Sequence, residues 1–421
     1  MENKLYSSII GFIIGDALGV PVEFKSRAEL KENPVIDMRE YGTYNQPKGS
    51  WSDDSTMTLC LMENLINGLD YNDICSKFLK WIDNGYMTPH GELFDIGIST
   101  SNAISNYKNG VPPLKCGGTS EYDNGNGSLM RVLPLAFYTM GMTLTKKFEI
   151  IENISSLTHR HIRSKIACAI YVQFVCELLK GYDKEKALKQ TIIHIEDHYG
   201  SEPELNFYHK ILDGNISTCC EDEIKSSGYV VDTLEAVMWC FFTTDNYKDC
   251  ILRAVNLGED TDTITAIVGG IAGLYYGDEG IPKEWINSIV KLDLIMDICG
   301  KFQDIYKPFD ELQKYIPIMQ SKTTESNYEL YDKDASAYMQ LCYDMGYMDF
   351  DYFDTLKRYS FTEKDDEIIS AIDKANIELL IAINTYYFRK DRFCEGTLFE
   401  CAMNGTFVKI LKRMRSMTYF E

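Results

Sequence analysis

Two short stretches hold most of the residues with obvious chemistry. One reads Gly49-Ser50-Trp51-Ser52-Asp53-Asp54-Ser55-Thr56, the other Gly258-Glu259-Asp260-Thr261-Asp262-Thr263. Each places two carboxylates and neighbouring hydroxyls just ahead of a strongly apolar segment. Taken singly, each has an ordinary explanation: Ser52 as a helix N-cap, with acids in a first turn where the helix dipole favours them. Asp260 and Asp262 converge only where the backbone is not yet helical, because residues two apart do not share a helix face. Together the two stretches suggest a joint site. Neither contains Cys or His, so the donors are all oxygen, which suits Mg2+, Mn2+ or Ca2+ rather than zinc. Four buried carboxylates would repel one another. A pair of divalent cations would relieve that repulsion, activate water and hold an anionic substrate.

Two further segments could border such a site. In Asn124-Gly125-Asn126-Gly127-Ser128, running into an expected helix from Leu129, glycines permit close backbone approach and helix-start amides suit a phosphate; an ordinary loop is the competing reading. In Gly15-Asp16-Ala17-Leu18-Gly19-Val20-Pro21-Val22-Glu23, two acids lie in or just after an apolar helix, where charge is costly unless paired or metal-bound. Other groups look incidental. His194 and His198 have a metal-compatible spacing but lack the glutamate position of the zinc-protease pattern, and are expected on a surface helix face. Cys219-Cys220 adjoins Glu221, Asp222 and Glu223, which would raise a thiol pKa rather than activate it.

The elements that carry these groups read as helices. Apolar residues recur at three- and four-residue spacing in Leu59, Met62, Leu65, Ile66 and Leu69, in Ile166, Ile170, Phe174 and Leu178, and in Ile264, Ile267, Val268, Ile271 and Leu274. Strand-like alternation is nearly absent before residue 310, so an all-α body is expected, with loops at 39–51 and 111–127. Gly11, Gly15 and Gly19 share one helix face, and Gly269, Gly270, Ala272 and Gly273 crowd another. Glycine inside a helix costs about 1 kcal/mol against alanine. Its use here predicts close backbone approach between two central helices.

At 421 residues, the chain exceeds one ordinary domain. A polar, aperiodic stretch suggests a body at 1–318, a linker at 319–327 and a further domain at 328–421. The net charge of −21 disfavours nucleic acid or anionic membrane as partners of the body. The tail is a weaker case, since Arg389 to Arg415 is locally basic. Thirteen cysteines without a CxxC pair give no support to zinc fingers or a secreted disulfide framework. The apolar run Ile9–Ala17, broken by Asp16, is short of the roughly 20 residues of a bilayer span, and the start Met1-Glu2-Asn3-Lys4 lacks the pattern of a secretion signal. A soluble, cytoplasmic protein with reduced thiols is expected.

Six blocks resemble the ADP-ribosylglycohydrolase family: GFIIGDALGVPVEF (11–24), GSWSDDST (49–56), FDIGIST (94–100), NGNGSLMRVLPLAF (124–137), THRH (158–161) and GEDTDTITAIVGGIAGLYYG (258–277). They stand in the family's order. The resemblance implies a compact orthogonal multi-helix bundle with two Mg2+ or Mn2+ ions, cleaving ADP-ribose from a modified acceptor, with protein arginine the first expectation. It implies Ser52, Asp53, Asp54, Asp260, Asp262 and Thr263 as metal ligands. Glu23, Asp53, Asp54 and Asp262 are the acids available for catalysis. Asn126, Gly127 and Ser128 would cradle the diphosphate or ribose, and His159 would line the ADP-ribose pocket. Ser52 stands where the family usually has threonine, Glu259 where glycine is common, and Ile162 where proline is frequent. Serine, nucleic-acid or small-molecule linkages are the alternative substrates. The rival class is a non-catalytic binder of ADP-ribose or of a toxin, or a structural protein. The end of the chain resembles a small bacterial domain family of unknown function, expected to be a mainly helical lid, partner-binding unit or reader of the target.

Overall fold

The structure, a computed structural model, describes residues 4–321, 328–361 and 365–417. It is 69% helical, and among the described residues β structure is confined to isolated bridges such as Gly125 with Tyr229. The all-α expectation holds.

Two helices, Lys4–Gly19 and Thr261–Tyr276, make the centre. They run antiparallel with their backbones in contact. A β-carbon at Gly11 would lie 2.5 Å from the Gly269 carbonyl oxygen, and one at Gly15 would lie 2.1 Å from that of Thr265. The glycine face predicted from sequence is therefore a packing seam. Hydroxyls fasten it: Ser8 donates to the Gly270 carbonyl (2.9 Å), Thr261 to that of Gly19 (2.9 Å) and Tyr247 to that of Gly11 (2.8 Å). The Lys4–Val22 stretch is long and apolar enough to cross a membrane by length and composition, but 94% of it is buried inside the fold. Its apolarity serves the core.

The antiparallel seam has a direct consequence. It sets the end of the first helix, with Asp16 and the Glu23 that follows, beside the start of the second, with Asp260, Asp262 and Thr263. A third helix, Asp53–Ile66, starts at the same place. Asp16 accepts from the Ser52 amide (2.9 Å), the Ser55 amide (3.0 Å) and the Ser55 hydroxyl (2.5 Å), so one buried carboxylate holds the start of that helix. Both acid-bearing helices begin earlier than their apolar periodicity indicates, at Asp53 and Thr261, which puts the acids in the first turns. By contrast, Leu129–Arg131 is a single 3-10 turn followed by the short helix Leu133–Tyr138. The loop at 124–128 does not open into a long helix, so a helix dipole lends it little.

The tail is helical, its longest members being Tyr328–Asp344, Ile377–Lys390 and Thr406–Ser416. The expected linker is partly helical, since Tyr315–Gln320 covers its first two residues, and 322–327 lie outside the described residues. Buried polar contacts dock the tail on the body. Lys186 Nζ reaches Asp349 (2.7 Å), the Thr355 hydroxyl (2.5 Å) and Glu378 (3.2 Å), while Lys180 Nζ donates to the Gly346 carbonyl (2.6 Å). The Tyr347 hydroxyl lies 3.0 Å from the carbonyl oxygens of Met140 and Pro308. These contacts gather at the C-terminal end of the Ile162–Leu179 helix. His159 precedes its N-terminal end, a separation of about 27 Å at 1.5 Å per residue. Among the described residues, the tail's docking contacts lie at the C-terminal end of the helix rather than at the carboxylates. The tail covers His194, which is buried with its Nε2 3.7 Å from Glu177 rather than on a surface face. His198 lies apart beside Glu152, so the two histidines form no site. The basic residues of the tail are partly spent on its own acids, Lys390 on Asp365 and Lys409 on Asp373.

Candidate functional site

The two acidic stretches meet. The Thr263 hydroxyl donates to Asp54 Oδ2 (3.2 Å), joining residues 209 positions apart in sequence, and the Ser52 hydroxyl donates to the same oxygen (3.2 Å). Ser52 is the N-cap of its helix, so the ordinary explanation is correct for that residue and still leaves both aspartates at the junction. Asp260 is the non-helical residue preceding Thr261, which provides the backbone freedom that lets Asp260 and Asp262 converge. Oxygens of Asp16, Asp54 and Asp262 lie within 4.8 Å of one another, as do those of Glu23, Asp260 and Asp262.

This concentration of acid is poorly compensated. Glu23 Oε2, Asp54 Oδ1 and Asp262 Oδ1 are buried without a hydrogen-bond partner. Burial, followed by the charges of neighbouring acids, pushes Asp53, Asp54 and Asp262 well above the usual carboxylate range. Burial and the charge of Asp95 raise Glu23 to about 8. Asp16 rises to about 6 through burial, against the hydrogen bonds from Ser55 and Ser52. Unpartnered, buried, oxygen-only donors in two adjoining groups fit divalent cations.

The glycine-containing loop forms one flank. Asn126 Nδ2 donates to Asp260 Oδ2 (2.7 Å) and to the Thr233 hydroxyl (3.0 Å). Backbone bonds from Asn126 N to the Gly228 carbonyl (3.0 Å) and from Val230 N to the Asn124 carbonyl (3.0 Å) pin the loop. A β-carbon at Gly127 would lie 2.8 Å from both His159 Cε1 and the Thr100 hydroxyl, so only glycine fits there. His159 thus lies against the loop. Burial and the nearby Arg131 depress its pKa to about 3, so the ring is neutral. Ser128 is fully buried, its hydroxyl taken up by Ser155 (3.0 Å), which leaves its backbone rather than its side chain for any ligand.

Residues 1–312 match the profile of the ADP-ribosylglycohydrolase family. The chain belongs to that family. ADP-ribosylarginine hydrolase Tri1 of Serratia proteamaculans (strain 568) is 34% identical over 300 residues, covering 70% of this chain and 78% of that one. The ADP-ribosyl-[dinitrogen reductase] glycohydrolase of Rhodospirillum rubrum is 29% identical over 298 residues, covering 70% and 92%. A solved structure titled "ADP-ribosylglycohydrolase-related protein complex" superposes with a TM-score of 0.61 at 26% identity, covering 72% of this chain and 98% of that one. Residues 292–419 match a family of unknown function (DUF6508), in line with the resemblance noted for the tail.

The fold brings further residues to the site that the sequence reading left unassigned. Asp95, within the FDIGIST block, lies close to Asp53, Glu23 and Tyr44, and after burial its charge is the next cause of the raised Asp53 and Glu23. The available signal was an acid between Phe94 and Ile96 ahead of the Ile98–Lys108 helix, a placement common enough to pass unnoticed. Arg131 is wholly buried, its guanidinium donating to the carbonyls of Gly127 and Ile154 (2.9 Å for the latter) and lying 5.4 Å from the Phe78 ring centroid. It braces the glycine loop from behind and brings positive charge beneath it.

Proposed function

We propose that this ADP-ribosylglycohydrolase removes ADP-ribose from arginine side chains of modified proteins by N-glycosidic hydrolysis. The observation that carries this reading is the junction of Asp54 with Thr263, which gathers carboxylates from three parts of the chain around unpartnered buried oxygens. The names of the Serratia and Rhodospirillum relatives support the substrate class. Ser52, Asp53, Asp54, Asp260, Asp262 and Thr263 would hold two Mg2+ or Mn2+ ions. When bound, these ions would offset the carboxylate charge, polarise a water and orient the ribose hydroxyls.

The chain's own groups account for the rest. Backbone amides at Gly127 and Ser128, over the neutral His159, receive the diphosphate, Asn126 holding the loop through its bonds to Gly228 and Asp260, and Arg131 beneath the loop offsets its charge. Hydrolysis adds water across the bond between the anomeric carbon and the arginine nitrogen: the oxygen bonds to carbon, and one proton goes to the departing guanidine. Glu23 suits the handling of that proton. Its Oε2 is free and its pKa of about 8 lies near neutral pH, whereas Asp16 is taken up by Ser52 and Ser55. The transition state carries oxocarbenium-like charge, which the surrounding carboxylates stabilise. A cytoplasmic setting accords with thirteen free cysteines.

The test incubates the full chain with arginine-, serine- and DNA-linked ADP-ribosyl substrates, with Mg2+ or with EDTA. Release from the arginine substrate, stopped by EDTA and by Asp53→Ala, is expected. Binding of ADP-ribose without release from any substrate would assign the chain to the non-catalytic binders.

A further inference from the structure

The carboxylates have neighbours besides the glycine loop, and these are aromatic. Tyr44 sits 5.2 Å from Phe94 and 6.3 Å from Phe24 between ring centroids, with the planes tilted by 52° and 59°. The Tyr44 side chain faces both Glu23 and Asp95: after burial, their charges are what push its hydroxyl pKa well above the ordinary value, so the middle ring stands against the acids nearest the proposed scissile bond. Phe94 and Asp95 are consecutive, as are Glu23 and Phe24. Each outer ring of the trio therefore adjoins an acid that faces Tyr44.

Phe24 is unusual on two counts. Its ring is 70% exposed, and its backbone adopts a left-handed φ of +64° that non-glycine residues seldom take. The backbone bonds Phe24 N to the Glu259 carbonyl and Glu259 N to the Lys25 carbonyl, both 2.7 Å, hold it there. Glu259 is itself at φ +62°. Two strained residues thus brace one another and keep a solvent-facing ring at the lip of the site. Such strain persists only where the surroundings enforce it, and it gathers at functional positions.

We propose that Phe24, Tyr44 and Phe94, with Glu23 and Asp95, form the acceptor subsite and select a planar guanidinium over acceptors without one. This rests on the reading of the chain as an ADP-ribosyl hydrolase. The glycine loop with Asn126 and His159 is given to the ADP-ribose in this reading, and the aromatic trio beside Glu23 receives whatever leaves as ADP-ribose is released. A guanidinium is flat, weakly hydrated and stacks on aromatic faces, and its N–H fork pairs with carboxylates. A serine hydroxyl offers neither property, and a simple ammonium lacks the plane.

The experiment uses the full-length protein with Mg2+ and three probes: agmatine, 1,4-diaminobutane and ADP-ribose. Agmatine is expected to inhibit release from an arginine-linked peptide at least about tenfold better than 1,4-diaminobutane, which has the same double charge without the plane. Phe94→Leu and the surface change Phe24→Ala should each weaken agmatine inhibition about tenfold and raise KM for the arginine-linked peptide, while ADP-ribose affinity stays within about twofold. Equal inhibition by the two amines, or a parallel loss of ADP-ribose affinity in both variants, would overturn the proposal. If the wild type releases no ADP-ribose from any linkage, the hydrolase reading itself has failed; agmatine and ADP-ribose binding, followed by calorimetry, then report on the subsite separately.

Discussion

Gly19 lies directly against Asp262: a β-carbon on Gly19 would come within 2.3 Å of the Asp262 Cα and 2.4 Å of its amide nitrogen. The seam between the two central helices is therefore also the positioning device for a site carboxylate. Packing and chemistry share one contact.

Gly19→Ala should thus damage activity as well as stability. Overpacking a close seam costs about 1–3 kcal/mol, and the shift falls on Asp262, so kcat/KM should drop more than about tenfold. Gly300→Ala is the control, since nothing lies within 4 Å of its added carbon inside the Leu292–Ile305 helix. It should gain about 0.5–1 kcal/mol from the removal of a helical glycine. Urea denaturation alongside initial rates separates the two; equal behaviour of both variants would remove the argument.

Asp262→Asn and Asp54→Asn should have opposite effects on stability and activity. Each removes one charge from a buried, mutually repelling group, so the metal-free protein should be as stable as wild type or more so. Activity should fall at least about a hundredfold, and the thermal stabilisation by Mg2+ should shrink. A variant that keeps the full Mg2+ shift would exclude that residue from the cation site.

The pH dependence has a definite sign. Glu23 lies at about 8 in the folded chain, against an ordinary 4.5, so the folded state holds this proton more tightly. Its contribution is fully present below pH 4.5 and is lost as pH rises through 8. Asp16, raised to about 6 from 3.8, acts in the same direction over a narrower window. In EDTA the melting temperature should therefore fall between pH 5 and pH 8. Added Mg2+ should restore more stability at pH 8 than at pH 5, because cations bind the deprotonated acids. Calorimetry at the two pH values decides; an Mg2+ shift independent of pH would refute the linkage.

Docking of the tail should matter for stability and little for chemistry. Asp349→Ala leaves Lys186 buried and short of a partner, a loss of about 3–5 kcal/mol for a broken buried pair. KM for the ADP-ribosyl substrate should stay within about twofold, because the tail docks toward the C-terminal end of the Ile162–Leu179 helix, about 27 Å long at 1.5 Å per residue, whereas the glycine loop and His159 lie at its N-terminal end. A large KM change with little loss of stability would mean that the tail acts on the site.

The limits of the sequence reading follow from what is local and what is not. Capping by Ser52, acids in the first turns of two apolar helices and a glycine-striped helix face are properties of a few consecutive residues, so they were legible. The start of a helix at Leu129 was misjudged, because Arg131 spends its guanidinium on the Gly127 and Ile154 carbonyls and the backbone turns there instead. The surface placement of His194 failed for a different reason: the residues that bury it, such as Gly346, come from the tail more than 150 positions away.

The sequence by itself determined the kind of chemistry: oxygen donors without sulfur or imidazole, helix starts to present them, and family blocks in the family's order. Only the tertiary structure decided which donors meet. The antiparallel seam of Gly11, Gly15 and Gly19 against Gly269, Thr265 and Asp262 puts opposite ends of two distant helices side by side, and a third helix is fastened there through Asp16. It also brought in Tyr44, whose local surroundings carry no mark of a site, gave Asp95 and Arg131 of the family blocks their neighbours there, and set the tail at the far end of the Ile162–Leu179 helix. The physical reason is the same in each case. A side chain's donor chemistry belongs to its residue type, whereas its neighbours, its desolvation and hence its pKa are set by segments that only folding brings together.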